Sequence, residues 1–475
     1  MDELRLLTYN THQVSFALLI LGFVLLLVND IKELKNKGSL FYRRNIIFVL
    51  VGIFLGCFVT LFQAWGPEGI FFVLEFSLLV ILSIIRPKYA TAFFVFLLLS
   101  RPWETINDQM MQSMPREISY LAILSVFAHK ILNKDFSFRF NLGTFFVAIF
   151  AFWMFLSALF SSHSTTAVTE YFNILFKGII LFVLIQNSLQ DKNDFMPTKI
   201  ALVIGILEKC FISFYSTFFI HNEAERLVSV GILSNSNDVA AIFVLAIPFF
   251  IFFILKTNLK PLSWIIAILA VLGMGYLIFQ AQSRGAILGM IAAVASWFVY
   301  KIHSKKQVLL LIGAGVCVAL VLFTFMSRSS SDLDASQSNR VVFMKAGINM
   351  GVRNPILGVG YWGFRDNLSS YILDGDSATE SKMTAHSSWI LPFAEGGFVA
   401  FMSYILLWSY GFFCAWQIRK SEPEYFMSLA GYAVTCTFLS HTYLLYPFIL
   451  LGLVITHYQA LKQNFILGNG NEAMA

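Results

Sequence analysis

Charge is what this sequence has least of. Asp, Glu, Lys and Arg make up 13% of its 475 residues, against about 25% in a soluble globular domain. A chain this poor in charge cannot cover a water-facing surface of its size, so an ordinary soluble fold is excluded. Cysteine is scarce too. The five cysteines, at 57, 210, 317, 414 and 436, lie in or beside apolar runs with no CxxC spacing. They read as core packing rather than as metal ligands or disulfides. There is no Walker A pattern and no GxGxxG in a strand–helix setting. No internal repeat and no soluble domain stand out. No cleavable signal peptide is recognisable. The first apolar run lacks a small-residue cleavage site after it and is expected to be retained.

Apolar length is abundant. Hydrophobic residues account for 58% of the chain, with 51 Phe, and the mean hydropathy is +0.73. Successive apolar runs predict an all-α, polytopic integral membrane protein with about 12–15 transmembrane helices in a single transmembrane domain over 1–475. The runs include 13–29, 46–64, 70–85, 142–160, 171–187, 200–220, 238–255, 262–281, 286–300, 307–326, 388–416, 425–441 and 444–459. The run 89–100 is short and follows Arg86-Pro87-Lys88, which reads as a broken or re-entrant element.

The linkers sort by charge. Lys32 to Arg44, Arg86 and Lys88, Lys130 to Arg139, Lys192 and Lys199, Lys256 and Lys260, Lys301 to Lys306, and Arg419-Lys420 fall in every second linker. That is the positive-inside pattern, and these linkers are assigned to the cytoplasm. The alternate ones, 65–69, 101–116, 161–170, 221–237, 282–285, 327–387 and His441-Thr442-Tyr443, are then outer. The 327–387 loop, about sixty residues, is far longer than an ordinary connection, and such loops are usually functional or disordered. Its Ser/Asp-rich start, Ser327–Asn339, reads as mobile, and Arg340–Met350 as a short amphipathic helix.

Arginine is costly beside a membrane span unless it faces water, protein or a ligand. Arg284, in Gln282-Ser283-Arg284-Gly285, sits between two apolar runs on the assigned outer face. It is either a headgroup-facing residue or an anion clamp. Ser283, Gly285 and the start of the next helix, with its unpaired N–H groups, favour the clamp. Arg226 and Arg340 lie on other outer segments. Asn235, Ser236, Asn237 and Asp238 stand where a helix begins and can cap it. His386 closes the long loop as an interfacial residue or a proton acceptor for a sugar hydroxyl. Glu395, just beyond, reads as a helix-packing acid with a partner. Asp332-Leu333-Asp334 and Asp374-Gly375-Asp376 match DxD spacing but lie in acidic loop sequence, and no metal role is assigned to them.

The ordered set Arg226…Asn237-Asp238, Ser283-Arg284-Gly285, Arg340…Asn354-Pro355-Ile356-Leu357-Gly358-Val359-Gly360 and Ala385-His386-Ser387-Ser388-Trp389…Glu395-Gly396-Gly397 resembles the O-antigen ligase and polymerase superfamily. The likeness covers roughly 220–400. It departs at Ser387, where that family usually has Asn. The resemblance implies a GT-C-like glycosyltransferase of the bacterial inner membrane with its active site facing the periplasm. Its donor would be a glycan on undecaprenyl diphosphate, and its acceptor a glycan or lipid A core. It implies no cofactor, metal or nucleic-acid partner. His386 and Arg284 would be catalytic, and Arg226, Arg284, Arg340, Ser283 and Asn237 would bind substrate. Two other classes were weighed: a transporter or flippase of lipid-linked glycans, and a non-catalytic assembly subunit. Glu75, His129, Lys177 and Glu208-Lys209 could serve an ion relay, but read better as paired structural charges.

The alternation of basic linkers predicts the labelling pattern of single-cysteine variants in intact cells. Positions 226 and 284 should react with an impermeant reagent added outside, and positions 303 and 420 only after permeabilisation. Protection of position 284 from the outside reagent would refute the assigned topology.

Overall fold

The computed structural model describes residues 2–36, 86–104, 109–132, 137–221, 226–228, 233, 235–256, 261–299, 330–373 and 383–466, with single positions 307, 313 and 315. The runs 46–64 and 70–85, nearly all of 307–326, Glu75, Cys57, Cys317, Asp374 and Asp376 lie outside the described residues. Within the described residues the chain is helical, with no strand. The helices are α1 (Asp2–Asn36), α2 (Pro87–Ser100), α3 (Gln109–Leu132), α4 (Leu142–Leu159), α5 (Ser164–Glu170), α6 (Phe176–Ser188) and α7 (Phe195–Tyr215). They continue with α8 (Ser236–Lys256), α9 (Pro261–Gln280), α10 (Arg284–Val299), α11 (Ser330–Arg353), α12 (Phe364–Tyr371), α13 (Leu391–Gln417), α14 (Pro423–Cys436) and α15 (Leu445–Ile466). Among the described residues, four stretches are long and apolar enough to cross a membrane: Leu142–Leu159, Ser164–Ser188, Lys192–Ile220 and Leu391–Gln417. Shorter apolar helices include Ser236–Phe252, Trp264–Gln280 and Arg284–Val299. The protein is a polytopic, all-α membrane protein.

Two compact units divide the chain. The first comprises Met1–Arg139, Leu184–Glu223 and Val230–Ile232. In it α3 and α7 pack against α2, whose every residue is buried, and α1 sets His12, Phe16 and Phe23 against Phe96, Phe93 and Tyr89 of α2. At 14 residues, α2 rises about 21 Å, short of a hydrocarbon core of about 30 Å, as the sequence suggested. Its charges are paired. Lys88 meets Asp194 at 3.2 Å, His12 meets Glu208 at 2.9 Å, and Lys209 meets Glu104 at 3.9 Å. Glu208 and Lys209 are therefore paired charges. The Lys88–Asp194 pair joins two basic linkers that the charge pattern placed on one side. Arg139 likewise donates to the Gln190 carbonyl at 3.3 Å.

The second unit comprises Phe140–Val183, Ala224–Ser229 and Leu233–Ala475. Asn141 starts α4 with a capping box: its side chain accepts from Thr144 N at 3.1 Å, and Thr144 Oγ1 accepts from Asn141 N at 3.3 Å. The α10 and α14 helices approach closely where Gly289 and Gly431 face each other; a Cβ on Gly289 would sit 2.7 Å from the Gly431 carbonyl. Small residues of this kind let membrane helices touch backbone to backbone. One expectation is corrected. Ser330–Asn339 is not loop but the first part of α11, which runs unbroken to Arg353. No proline interrupts this run, and Asp332 and Asp334 fall near its N-terminus, where acidic residues suit the helix dipole.

The element that shapes this unit is a break in α13. Gly397 has φ +71° and ψ −163° inside the helix. The backbone groups released there are taken up by the Asn354–Gly363 loop. Val359 N donates to the Ala394 carbonyl at 2.9 Å, and Phe398 N to the Pro355 carbonyl at 2.8 Å. From α4, Ser157 Oγ bonds the Glu395 carbonyl at 2.5 Å and the Leu357 carbonyl at 3.0 Å. Trp153 Nε1 donates to the Ile356 carbonyl at 2.8 Å. A Cβ at Gly397 would lie 2.6 Å from the Ile356 and Pro355 carbonyl oxygens, in a backbone region that L-residues avoid.

Gly397→Ala should therefore destabilise the protein by about 1–3 kcal/mol, the usual cost of a residue forced into such a region. Thermal unfolding in detergent checks this, and a variant as stable as wild type would show that the break can relax.

Candidate functional site

The α9–α10 turn is built around a cap. Gln282 takes a left-handed φ of +51°, which turns the chain so that Ser283 can start α10. Ser283 is buried, and its Oγ accepts from Ala286 N at 3.4 Å. Ser283 therefore works first as an N-cap, and Arg284 occupies the first helical position. The space beside Gly285 is filled by the Phe438 ring, 3.0 Å from where a Cβ would stand. That glycine serves helix packing rather than ligand approach.

Arg226 braces the same turn. Its Nη2 donates to the Ala281 carbonyl at 2.8 Å and reaches Asn237 Oδ1 at 3.5 Å, while Leu227 N donates to the Gln280 carbonyl at 3.2 Å. The guanidinium thus sits at the C-terminal end of α9, where positive charge is favoured, three residues from Arg284. Asn235 caps α8 through Asn237 N at 3.0 Å, as its position suggested. Asn237 itself is buried and faces Arg226.

Asp238, next along α8, points elsewhere. Its Oδ1 accepts from His441 Nε2 at 3.0 Å, and His441 Nδ1 meets Tyr432 Oη at 2.8 Å. His441 N donates to Ser388 Oγ at 2.8 Å, and Thr442 Oγ1 to the Ser388 carbonyl at 2.9 Å. Ser388 lies two residues past His386, so the histidine loop is fastened to the 437–443 turn.

His386 has a left-handed φ of +47°, and its ring lies 6.0 Å from that of Phe343 on α11. Burial is the main force holding its imidazole down to about 4. The Arg340 guanidinium adds to this, Asp238 pulls the other way, and Arg365 lowers it again. His386, Arg340, Arg365 and Asp238 therefore share one electrostatic neighbourhood, drawn from four separate segments. Arg226 reaches Asn237, the neighbour of Asp238, and braces the turn on which Arg284 stands through the Ala281 carbonyl.

Glu395 is buried on α13, with both oxygens engaged. Oε2 accepts from Tyr443 Oη at 2.6 Å and Oε1 from Phe364 N at 3.0 Å. It is a packing acid with partners, holding the start of α12 on which Arg365 stands. Among the described residues no group of three or more His, Cys, Asp or Glu is arranged to hold a metal ion.

This geometry falls largely within one stretch. Residues 269–405 match the O-antigen ligase family model. The resemblance read from the sequence is borne out there. The matched O-antigen ligase segment carries Arg284, Arg340, His386 and Glu395, whereas Arg226, Asn237, Asp238 and His441 lie outside it. A curated relative, teichuronic acid biosynthesis protein TuaE of Bacillus subtilis, is 28% identical over 190 residues. That likeness spans 37% of this chain and 38% of TuaE.

Sequence reading missed the partners flanking the O-antigen ligase segment. Asp238 was legible as a helix start and as part of the family-like set, His441 only as part of a turn, and Arg365 was not singled out. The available signal was that Asp238 directly follows the outer segment 221–237 while Arg365 and His441 lie in outer segments, since Asp238 and His441 meet across 203 positions.

The His386 environment has a pH consequence. An unfolded histidine titrates near 6.5, and the folded one at about 4. Between these values the unfolded chain binds more protons, so stability present above pH 6.5 is lost as pH falls through 4. Thermal unfolding at about pH 7.5 and about pH 4.5 should show a smaller acid loss in His386→Gln than in wild type. Equal losses would contradict the depressed value.

Proposed function

We propose that this protein is a membrane glycosyltransferase that moves an undecaprenyl-diphosphate-linked glycan onto an acceptor hydroxyl at the outer, periplasmic face of the bacterial inner membrane. It acts as a polysaccharide polymerase or an O-antigen ligase, with a glycan or lipid A core as acceptor. The observation that carries this reading is the charge that Arg340, Arg365 and Asp238 bring to His386, with His386 and both arginines inside the stretch that matches the O-antigen ligase model. The likeness to a teichuronic acid biosynthesis protein supports a glycan-building role.

In this reading Arg284, Arg226 and Arg340 hold the donor diphosphate, with Ser283 and Asn237 shaping their turn and helix start. Guanidinium groups pair with phosphate oxygens through charge-assisted, often bidentate bonds. They stabilise the charge that grows on the diphosphate as it leaves, so the positive charge comes from the protein rather than from a metal. The acceptor hydroxyl attacks the anomeric carbon, and the old carbon–oxygen bond breaks with its electron pair retained by the diphosphate. The hydroxyl proton passes to His386, which is neutral at physiological pH. A base near 4 is weak. The diphosphate corrects this, because its negative charge offsets the arginine field that depresses the imidazole. His386 therefore gains basicity once donor is in place.

Transfer by purified protein in nanodiscs, with donor binding followed separately, tests the division of labour. Arg284→Lys keeps charge but loses the planar fork, so turnover should fall while the protein still folds, and Arg284→Ala should also weaken donor binding. His386→Ala should leave donor binding nearly intact and slow transfer by about 10²–10⁴-fold, as for loss of a general base. Full transfer by His386→Ala, or unchanged donor affinity in Arg284→Ala, would sink the reading.

A further inference from the structure

The charged groups that act on His386 come from three helices, and hydrogen bonds tie Asp238 to its loop: His441 donates Nε2–H to Asp238 and its backbone N–H to Ser388 Oγ, two residues past His386. Arg340 on α11 and Arg365 on α12 are positive, and Asp238 on α8 is negative. Asp238 is not needed as a cap, because Asn235 already accepts the Asn237 N–H. Its carboxylate is instead backed by a buried chain. The His441 side chain is 1% exposed and that of Asp238 21%, so the back of the pair is sealed while the carboxylate keeps an open side. Every member of the chain is satisfied when Tyr432 Oη–H donates to His441 Nδ1 and Nε2–H donates to Asp238. The turn carrying His441 is locked to Ser388, whose N donates to the Cys436 carbonyl at 2.8 Å and whose Oγ donates to the Leu439 carbonyl at 2.6 Å. The first turn of α8 also favours an ionised carboxylate through the helix dipole.

We propose that Asp238, held by His441 and Tyr432, is the counter-charge of His386, a positioning residue that stabilises the imidazolium formed when the acceptor gives up its proton. The proposal rests on the reading of His386 as the acceptor base. In the transfer step the acceptor proton goes to His386, the new glycosidic bond forms as the bond to diphosphate breaks, and Asp238 stays ionised throughout. His441 passes no net proton; with Tyr432 it fixes the direction of the carboxylate. As with a carboxylate that steadies a histidine that must become charged, Asp238 acts through its negative charge, while its own hydrogen bond is to His441.

The test needs no substrate. Ring titration of His386, followed by NMR of histidine-labelled protein in detergent, should move to lower pH in Asp238→Asn, which keeps the shape and loses the charge. His441→Asn should move it in the same direction by less. In the transfer assay Asp238→Asn should lower kcat by about 10–100-fold, with donor KM unchanged or lower, and shift the acid limb of the profile to lower pH. An unmoved His386 titration in folded Asp238→Asn overturns the proposal, even if kcat falls, because loss of kcat alone is what a structural role would give. If Asp238→Asn does not fold, His441→Asn carries the test, and an unmoved titration there overturns it equally. Failure of the reading beneath it looks different: His386→Ala would transfer at the wild-type rate while the Asp238→Asn titration still shifts.

Discussion

A helix that breaks inside an apolar environment must find new partners for the backbone groups it releases, since no water is there to take them. The second unit is arranged around one such break, at Gly397. The Pro355–Val359 backbone supplies a carbonyl for Phe398 N and an N–H for the Ala394 carbonyl. Ser157 and Trp153 of α4 hold the same loop from behind. The side chain just before the break, Glu395, then reaches across to Phe364 N and Tyr443 Oη. One interrupted helix thereby fixes α4, the Asn354–Gly363 loop, the start of α12 and the turn before α15. Arg365, on α12, and His441, on that turn, inherit their positions from it.

The proposed chemistry follows from how charge is distributed over that frame. Cationic groups alone around His386 would make a good anion site and a poor base. An anionic donor reverses this locally, and Asp238 adds a negative charge of the protein's own. The histidine is then weakest as a base when the site is empty and strongest when the leaving group is bound. Such coupling of basicity to occupancy limits proton uptake by an idle enzyme. It also favours donor binding before proton transfer, without any moving part.

How much of this was legible in the sequence depended on range. The all-α membrane class followed from apolar length and scarce charge, and the alternation of basic linkers placed Lys88 and Asp194 on the side where they meet. Asn235 as a cap was readable because caps are local, and Glu395 as a partnered acid because a carboxyl within an apolar helix needs a partner wherever it lies in the chain. The helical start of α11 was misread, because Ser- and Asp-rich composition resembles loop even where a helix N-terminus tolerates it. Asp238 with His441, and Arg365 with His386, were not found. Their pairing is a property of packing between distant segments, and one sequence holds no record of which outer turns touch. Ser283 and Gly285 were assigned to a ligand because small residues suit both ligand approach and close packing. The structure uses one to cap α10 and the other to admit Phe438.

The glycine-lined crossing at Gly358 and Gly397 also bears on how proteins of this kind can diversify. A Cβ on Gly358 would collide with the Ala394 carbonyl, and the loop bonds α13 on both sides of its break. Adding or deleting one residue between Asn354 and Gly363 would therefore detach both bonds together and shift the frame of Arg365 against His386. A change of length in this loop is therefore costlier to this fold than an exchange of side chains. New substrate preferences have to arise by exchanging side chains on an unchanged backbone, which makes this segment a fixed ruler against which the rest of the site can drift.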